Sequence, residues 1–147
     1  NFIDKFSMAT ASNNQSNYIL RRITNKLQQN TIPMENVTLE HILPKKWEAN
    51  WSDITFKDNI VLKNLDPDIS DQYLSRIGNH TLLLNSVNIP LNNSSYENKL
   101  QSYQNENINI TKGDSEISVT NYSNWNANSI EKRQKALAKI AKEIWGM

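Results

Sequence analysis

The stretch from Thr38 to Trp47 most constrains what this chain can fold into, because it places an acid and an imidazole side by side and then meets a proline. Its apolar residues predict a strand over residues 37–43. Pro44 predicts the end of that strand, since proline cannot continue a ladder of hydrogen bonds. The chain contains only 2 histidines. A histidine beside a glutamate at a strand end, as in Glu40-His41, therefore indicates a functional site.

A second run, over residues 77–85, is rich in strand-forming residues and is followed by Asn88. Gly78 is one of 3 glycines, and its position just before Asn79 predicts a turn or a close backbone approach. Together with Glu40-His41, these residues predict a one-metal site that hydrolyses phosphodiesters.

The rest of the pattern is mainly helical. Apolar residues spaced by three and four predict helices over residues 13–30 and 68–76, and another that begins near Ser94. Asn128 and Glu131 predict a capping box at the start of a last helix. Ile108, Ile110, Ile117 and Val119 predict a small hairpin around residues 112–114. We therefore expect an α+β fold that is mainly helical.

Composition narrows the classes of function. At 147 residues, the chain fits one domain, 1–147. It has no cysteine, which excludes disulfide scaffolds and thiolate zinc sites. A net charge of +1 means that contact with nucleic acid requires a local basic surface. We find neither a membrane span nor a signal peptide, so we expect a cytoplasmic protein, and the missing initiator methionine indicates a piece of a longer one.

Hydrolysis of a phosphodiester needs a base, a cation and a means of holding the base in place. His41 is the predicted base, and its usual pKa near 6.5 predicts a rate that rises through roughly pH 6 to 7. Glu40 and Asn88 are the predicted oxygen ligands of Mg²⁺. Asn85 and Asn92 remain alternates for Asn88, because 23 residues of this chain are asparagine.

Asn79 is the predicted positioning residue, with its amide bridging the loop that carries His41. One geometric condition applies to Glu40. Adjacent residues of a regular strand point to opposite faces, so Glu40 and His41 reach one metal only if the strand is irregular. We therefore predict a bulge or twist at residues 40–41. In a regular strand, Glu40 would either support the metal site without binding the metal or have a structural role.

The motifs EHILPK and IGNHTLLLNSVNIPLNN, then Lys99, a late tryptophan and the final helix carry a resemblance to a known family. They resemble the His-Me finger (HNH-type) nucleases. More closely, the chain is similar to the C-terminal nuclease domain of GmrSD-like, modification-dependent restriction enzymes, from Tyr18 to Trp145. This resemblance implies a ββα-metal (HNH-like) core with flanking helices at both ends. His80 departs from the family pattern, and we interpret it as either a partly buried strand residue or a second catalytic imidazole.

The resemblance also implies a function. It implies a Mg²⁺- or Mn²⁺-dependent endonuclease for double-stranded DNA, in a phage-defence protein whose N-terminal part is a nucleotide-hydrolysing sensor. His41 and Asn79 would be catalytic, Glu40 and Asn88 would bind the metal, and Lys45, Lys46 and Lys99 would contact DNA. Two alternatives stay open. One is a non-catalytic DNA-binding or scaffold module, and the other is a helical docking domain in which the EHILP motif is coincidental.

Overall fold

The computed structural model describes residues 1–28, 36–84 and 93–146. Over these ranges the fold is α+β and mainly helical, as predicted. The α-helices are α1 (Phe2–Met8), α2 (Asn13–Gln28), α3 (Glu48–Trp51), α4 (Pro67–Leu74), α5 (Tyr96–Tyr103) and α6 (Ala127–Trp145). Short 3₁₀ helices cover Leu62–Asn64, Ile77–Asn79 and Val119–Asn121. The helices predicted at 13–30, at 68–76 and near Ser94 correspond to α2, α4 and α5.

Four strands form two small antiparallel sheets in the described part of the chain. β1 (Val37–His41) pairs with β4 (His80–Leu84), and β2 (Thr55–Lys57) pairs with β3 (Ile60–Val61). The β1–β4 register runs without a shift from Val37 opposite Leu84 to His41 opposite His80. The predicted irregularity at residues 40–41 is therefore wrong, since the strand keeps its pairing to its last residue.

The long helix α6 organises the packing on both sides of the β1–β4 sheet. Ile130 belongs to a core cluster with Ile42, Leu43 and Trp51, whereas Leu137 belongs to a second cluster with Leu20. The capping box at its start consists of Asn126 and Ser129. The predicted pair, Asn128 with Glu131, is wrong by two residues, because the extended backbone that a cap requires occurs at Asn126.

The predicted hairpin around residues 112–114 is also wrong, because this segment contains no strand. Two backbone carbonyls that a ladder would use, those of Ile110 and Ile117, accept hydrogen bonds from the buried Arg133 side chain. The apolar residues of the segment still pack in the core, where Ile108 and Val119 are fully buried. Its apolar pattern therefore reflects burial and not strand pairing.

Gly78 allows the turn before β4 to approach α6 closely. A Cβ atom at this position would lie 2.3 Å from the Ile130 carbonyl oxygen and 2.8 Å from the Gln134 Cβ. A larger side chain would push the turn away from the helix. This confirms the close approach predicted for Gly78, and the approach fixes the position of Asn79, the next residue.

Candidate active site

His41 ends β1 and lines a surface groove of about 410 Å³, which we call the His41 groove. The ring is half-buried. Within the described residues, neither of its nitrogens has a hydrogen-bond partner. The other residues that line the groove come from the start of α2, the loop after β1 and helix α4: Ala11, Ser12, Asn13, Lys45, Asp71, Leu74 and Ser75.

The surroundings of His41 keep its imidazole neutral. Burial, together with the positive charges of Lys45 and Lys99, lowers the pKa of His41 to about 4. The ring is therefore unprotonated at neutral pH and able to accept a proton. This pKa lies below the usual value near 6.5 on which the sequence-based prediction relied. The difference arises from the burial of the ring, which the sequence alone does not show.

His80 faces His41 across the β1–β4 pair, with the ring centroids 4.4 Å apart. It is fully buried. The Leu74 carbonyl lies 2.9 Å from Nε2 and can only accept, so Nε2 carries the proton; Nδ1 then accepts a hydrogen bond from the Ser16 hydroxyl at 2.7 Å. Burial lowers the pKa of His80 to about 3. With no exposure and both nitrogens bonded, His80 supports His41 and does not itself contact a substrate.

Asn79 bridges the backbone that follows His41. Its Oδ1 accepts the Leu43 N–H at 2.8 Å, and its Nδ2 donates to the Leu43 carbonyl at 3.0 Å. Its backbone carbonyl accepts the Ile42 N–H at 2.9 Å. The amide thus makes the bridge that the sequence predicts. Asn79 is fully buried, so these bonds lie in the interior of the protein.

Glu40 lies on the other face of β1, in a group that we call the buried ion pair: Glu40, Lys99 and Tyr103. Lys99 Nζ is 3.1 Å from Glu40 Oε2, and the Tyr103 hydroxyl donates to the same oxygen at 2.8 Å. Burial raises the pKa of Glu40 and lowers that of Lys99, while their attraction opposes both shifts. In this regular strand, the Glu40 carboxylate is bonded to Lys99 and Tyr103 and does not line the His41 groove.

Lys99 is fully buried, so the prediction that it contacts DNA is wrong. Besides Glu40, its ammonium donates to the carbonyls of His41 and Ile42, at 2.8 and 2.9 Å. These three acceptors use all three of its protons. Lys99 therefore holds the end of β1 from one side, while Asn79 holds it from the other.

Lys45 and Lys46 are both exposed, and Lys45 lines the His41 groove. Asn88, Asn85 and Asn92, the candidates for the neutral metal ligand, lie outside the described residues. Within residues 1–28, 36–84 and 93–146, no group of three or more histidine or acidic side chains is arranged to hold a metal ion.

Sequence reasoning did not single out Asp71 or Ser16. Asp71 is an exposed carboxylate of α4 that lines the His41 groove. Ser16 is a buried hydroxyl of α2 that orients His80. Neither residue belongs to a motif, and only the packing of α2 and α4 around the end of β1 brings them to the site.

A family model for the C-terminal domain of GmrSD restriction endonucleases matches residues 1–140. The chain belongs to this family. Membership in the GmrSD family makes it a restriction endonuclease domain, which implies DNA as the substrate. No curated protein and no solved structure matches the chain. In the part of this GmrSD domain that the structure describes, no helix is long and apolar enough to cross a membrane.

Proposed function

We propose that this domain is a divalent-metal-dependent, HNH-type DNA endonuclease in which His41 is the general base. One observation carries the proposal. His41 presents an imidazole that is neutral at pH 7 and has no hydrogen-bond partner among the described residues, at an open groove on the surface. The backbone that carries the ring is held by Asn79 and by Lys99. A fixed, unprotonated imidazole at an open groove has the position and the protonation state that a general base needs.

His41, Lys45 and Asn79 have distinct parts in the proposed reaction. His41 takes a proton from the attacking water molecule. Lys45, exposed on the same groove, attracts the negatively charged phosphate. Asn79 holds the backbone after His41 in place. It takes no part in proton transfer, because the hydrogen bonds of its side-chain amide are made to other groups of the protein.

The low pKa of His41 makes its imidazole a weak base, so the attacking water must itself be acidified. A divalent cation, when bound at this groove, would supply that acidification and neutralise charge on the phosphate. Among the described residues, the exposed carboxylate of Asp71 on the same groove fits a hard cation, because Mg²⁺ usually takes one or two carboxylates and keeps several waters. We propose that Asp71 holds the cation together with one of Asn85, Asn88 and Asn92. Glu40 is left out of this ligand set, because its carboxylate is nearly buried beside Lys99.

The biological setting that we propose is restriction of foreign or modified DNA in the cytoplasm, as part of phage defence. The matched family model describes a C-terminal domain. We propose that a nucleotide-hydrolysing sensor precedes this domain in the full-length protein and directs its cleavage.

Nicking of supercoiled plasmid tests this proposal. We expect the wild-type domain to nick in Mg²⁺ or Mn²⁺ and to stop in EDTA. His41→Ala should lower the rate by roughly 10²- to 10⁴-fold. Lys46→Ala, which alters a neighbouring exposed side chain outside the groove, is the matched control and should retain the wild-type rate within about threefold. DNA binding by a folded wild-type domain that never nicks would instead support the non-catalytic module.

A further inference from the structure

Trp125 is bonded to the same amide that bridges the His41 loop. Its indole Nε1–H donates to Asn79 Oδ1 at 3.0 Å, and this oxygen also accepts the Leu43 N–H at 2.8 Å. An atom that receives two N–H donors must be the oxygen of the amide. Asn79 Nδ2 in turn donates to the carbonyls of Leu43 and Leu74, at 3.0 and 3.4 Å. Trp125 thus completes the four bonds that this amide can make.

The indole of Trp125 is itself held in place by aromatic rings. It is 2% exposed, stacks on Tyr96 with the centroids 5.7 Å apart, and meets the edge of Tyr122 at the same distance. The Tyr96 hydroxyl donates to the Tyr122 backbone carbonyl at 2.7 Å, which ties the Tyr96 ring to the segment that carries Tyr122. The next residue, Asn126, caps α6. The donor therefore has little freedom to move.

We propose that Trp125 is a positioning residue for the His41 loop, acting through Asn79. This inference rests on the proposed function of His41. The indole N–H fixes which way the Asn79 amide faces, and the amide fixes the Leu43 backbone two residues beyond the base. Loss of the N–H leaves Oδ1 with one donor in a buried place, so the bridge to Leu43 weakens. A small displacement of the base lowers the rate of the chemical step more than it lowers the affinity for DNA.

A pair of matched substitutions separates the effect of losing the Trp125 indole N–H from the effect of changing a buried tryptophan. Trp51 and Trp125 are both nearly fully buried in the same core cluster, both contact Tyr96, and Trp51 donates its indole N–H to the Ser94 carbonyl at 2.9 Å. Trp125→Phe should lower kcat about tenfold, with KM changed less than about twofold. Trp51→Phe removes an equivalent indole N–H that has no bond to Asn79, and it should leave kcat within about threefold of wild type.

A double-mutant cycle with Asn79→Ala separates positioning from general loss of packing. In the Asn79→Ala background, Trp125→Phe should have no further effect on kcat, since the partner is already gone. The effect of Trp51→Phe should be the same in both backgrounds. If Trp125→Phe lowers kcat by the same factor with and without the Asn79 side chain, Trp125 does not act through Asn79.

Hydrogen exchange gives a readout that requires no activity and keeps the test valid if Trp125→Phe does not fold. In the wild-type domain, the Trp125 indole proton and the Leu43 amide proton should both be protected from exchange. In folded Trp125→Phe, Leu43 should exchange faster, whereas Trp51→Phe should leave Leu43 unchanged. Rapid exchange of the Trp125 indole proton in the wild type would overturn the proposal. If both protons are protected but the domain does not nick DNA, the proposed function is contradicted, while the contact between Trp125 and Asn79 is supported.

Discussion

Glu40 and His41 are neighbours in the chain, yet their side chains lie in opposite environments. Glu40 is 7% exposed and paired with Lys99, which is fully buried. The His41 ring is half-buried, its two nitrogens have no hydrogen-bond partner in the described part of the chain, and it lines an open groove. The regular pairing of β1 with β4 produces this difference, since successive side chains of a strand point to opposite faces.

The comparison shows that a two-residue polar motif can combine a structural residue with a chemical one. The buried ion pair holds the His41 backbone, because the ammonium of Lys99 bonds to the His41 carbonyl. The groove exposes the His41 ring. One face of β1 therefore contributes stability to the site and the other contributes its proposed chemistry.

The largest expected effect concerns the buried side. Lys99→Met leaves the Glu40 carboxylate without its partner and two backbone carbonyls without a donor, so we expect the free energy of unfolding to fall by roughly 3–5 kcal/mol. Lys45→Met, on the exposed side, should change it by no more than about 0.5 kcal/mol. Urea denaturation of both variants measures the difference. Similar small losses for the two lysines would mean that the buried ion pair does not hold the site.

The next effect concerns the stability that buried His80 loses in acid. Burial lowers the pKa of His80 to about 3 in the folded state, so the unfolded chain binds a proton first as the pH falls below about 6.5. Stability is therefore lost progressively down to the folded pKa. Between pH 6 and 4 the wild type should lose about 2–3 kcal/mol more than His80→Leu, which lacks this group. Glu40 shifts the other way, but it is present in both proteins and cancels. If the wild type and His80→Leu lost stability in parallel between pH 6 and 4, the lowered pKa of His80 in the folded state would be contradicted.

The pH dependence of cleavage tests the role of His41, on the exposed face of β1. With the pKa of His41 at about 4, the single-turnover rate should fall about tenfold per pH unit below that value and be flat from about pH 6 to 8. Lys45→Met removes a positive charge that lowers this pKa, so the midpoint should move to higher pH. A wild-type rate that still rises through pH 6 to 7 would show that the imidazole is less perturbed than its burial indicates.

The smallest effect separates two neighbouring lysines. Lys45 lines the His41 groove and Lys46 lies outside it, although both are exposed. We expect Lys45→Ala to weaken DNA binding about 3- to 5-fold and to reduce the slope of log affinity against log salt by about one. Lys46→Ala should change the affinity by less than about twofold. Equal losses would indicate a broad basic surface that is not centred on the groove.

Much of the fold follows from local patterns in the sequence. The helical spacing of α2, α4 and α5, and the strand character around Glu40-His41, are properties of short segments and were predicted close to their observed bounds. The prediction of a hairpin near residues 112–114 was wrong because the apolar residues of this segment are buried without forming strands, in a loop whose Ile110 and Ile117 carbonyls bind the distant Arg133. Local apolar spacing does not distinguish a buried loop from a strand.

The candidate site was predictable in part, for a similar reason. His41 and Asn79 stand in motifs, and the structure places the Asn79 amide on the His41 loop. The burial of Lys99 and the exposure of Asp71 depend on how α5 and α4 pack around β1, which no short stretch of sequence records. The lowered pKa of His41 has the same origin, since it comes from burial and from two lysines brought near by the fold.

Chemical rescue tests most directly whether His41 is the base. His41→Gly should nick plasmid DNA roughly 10²- to 10⁴-fold more slowly than the wild type. Free imidazole, which is small enough to enter the open groove, should then raise the rate of this variant in proportion to its concentration. Glu40→Gln should show no such response. A His41→Gly variant that nicks at the wild-type rate, or one that imidazole leaves inactive although it is folded and binds DNA, would contradict the role of His41 as general base.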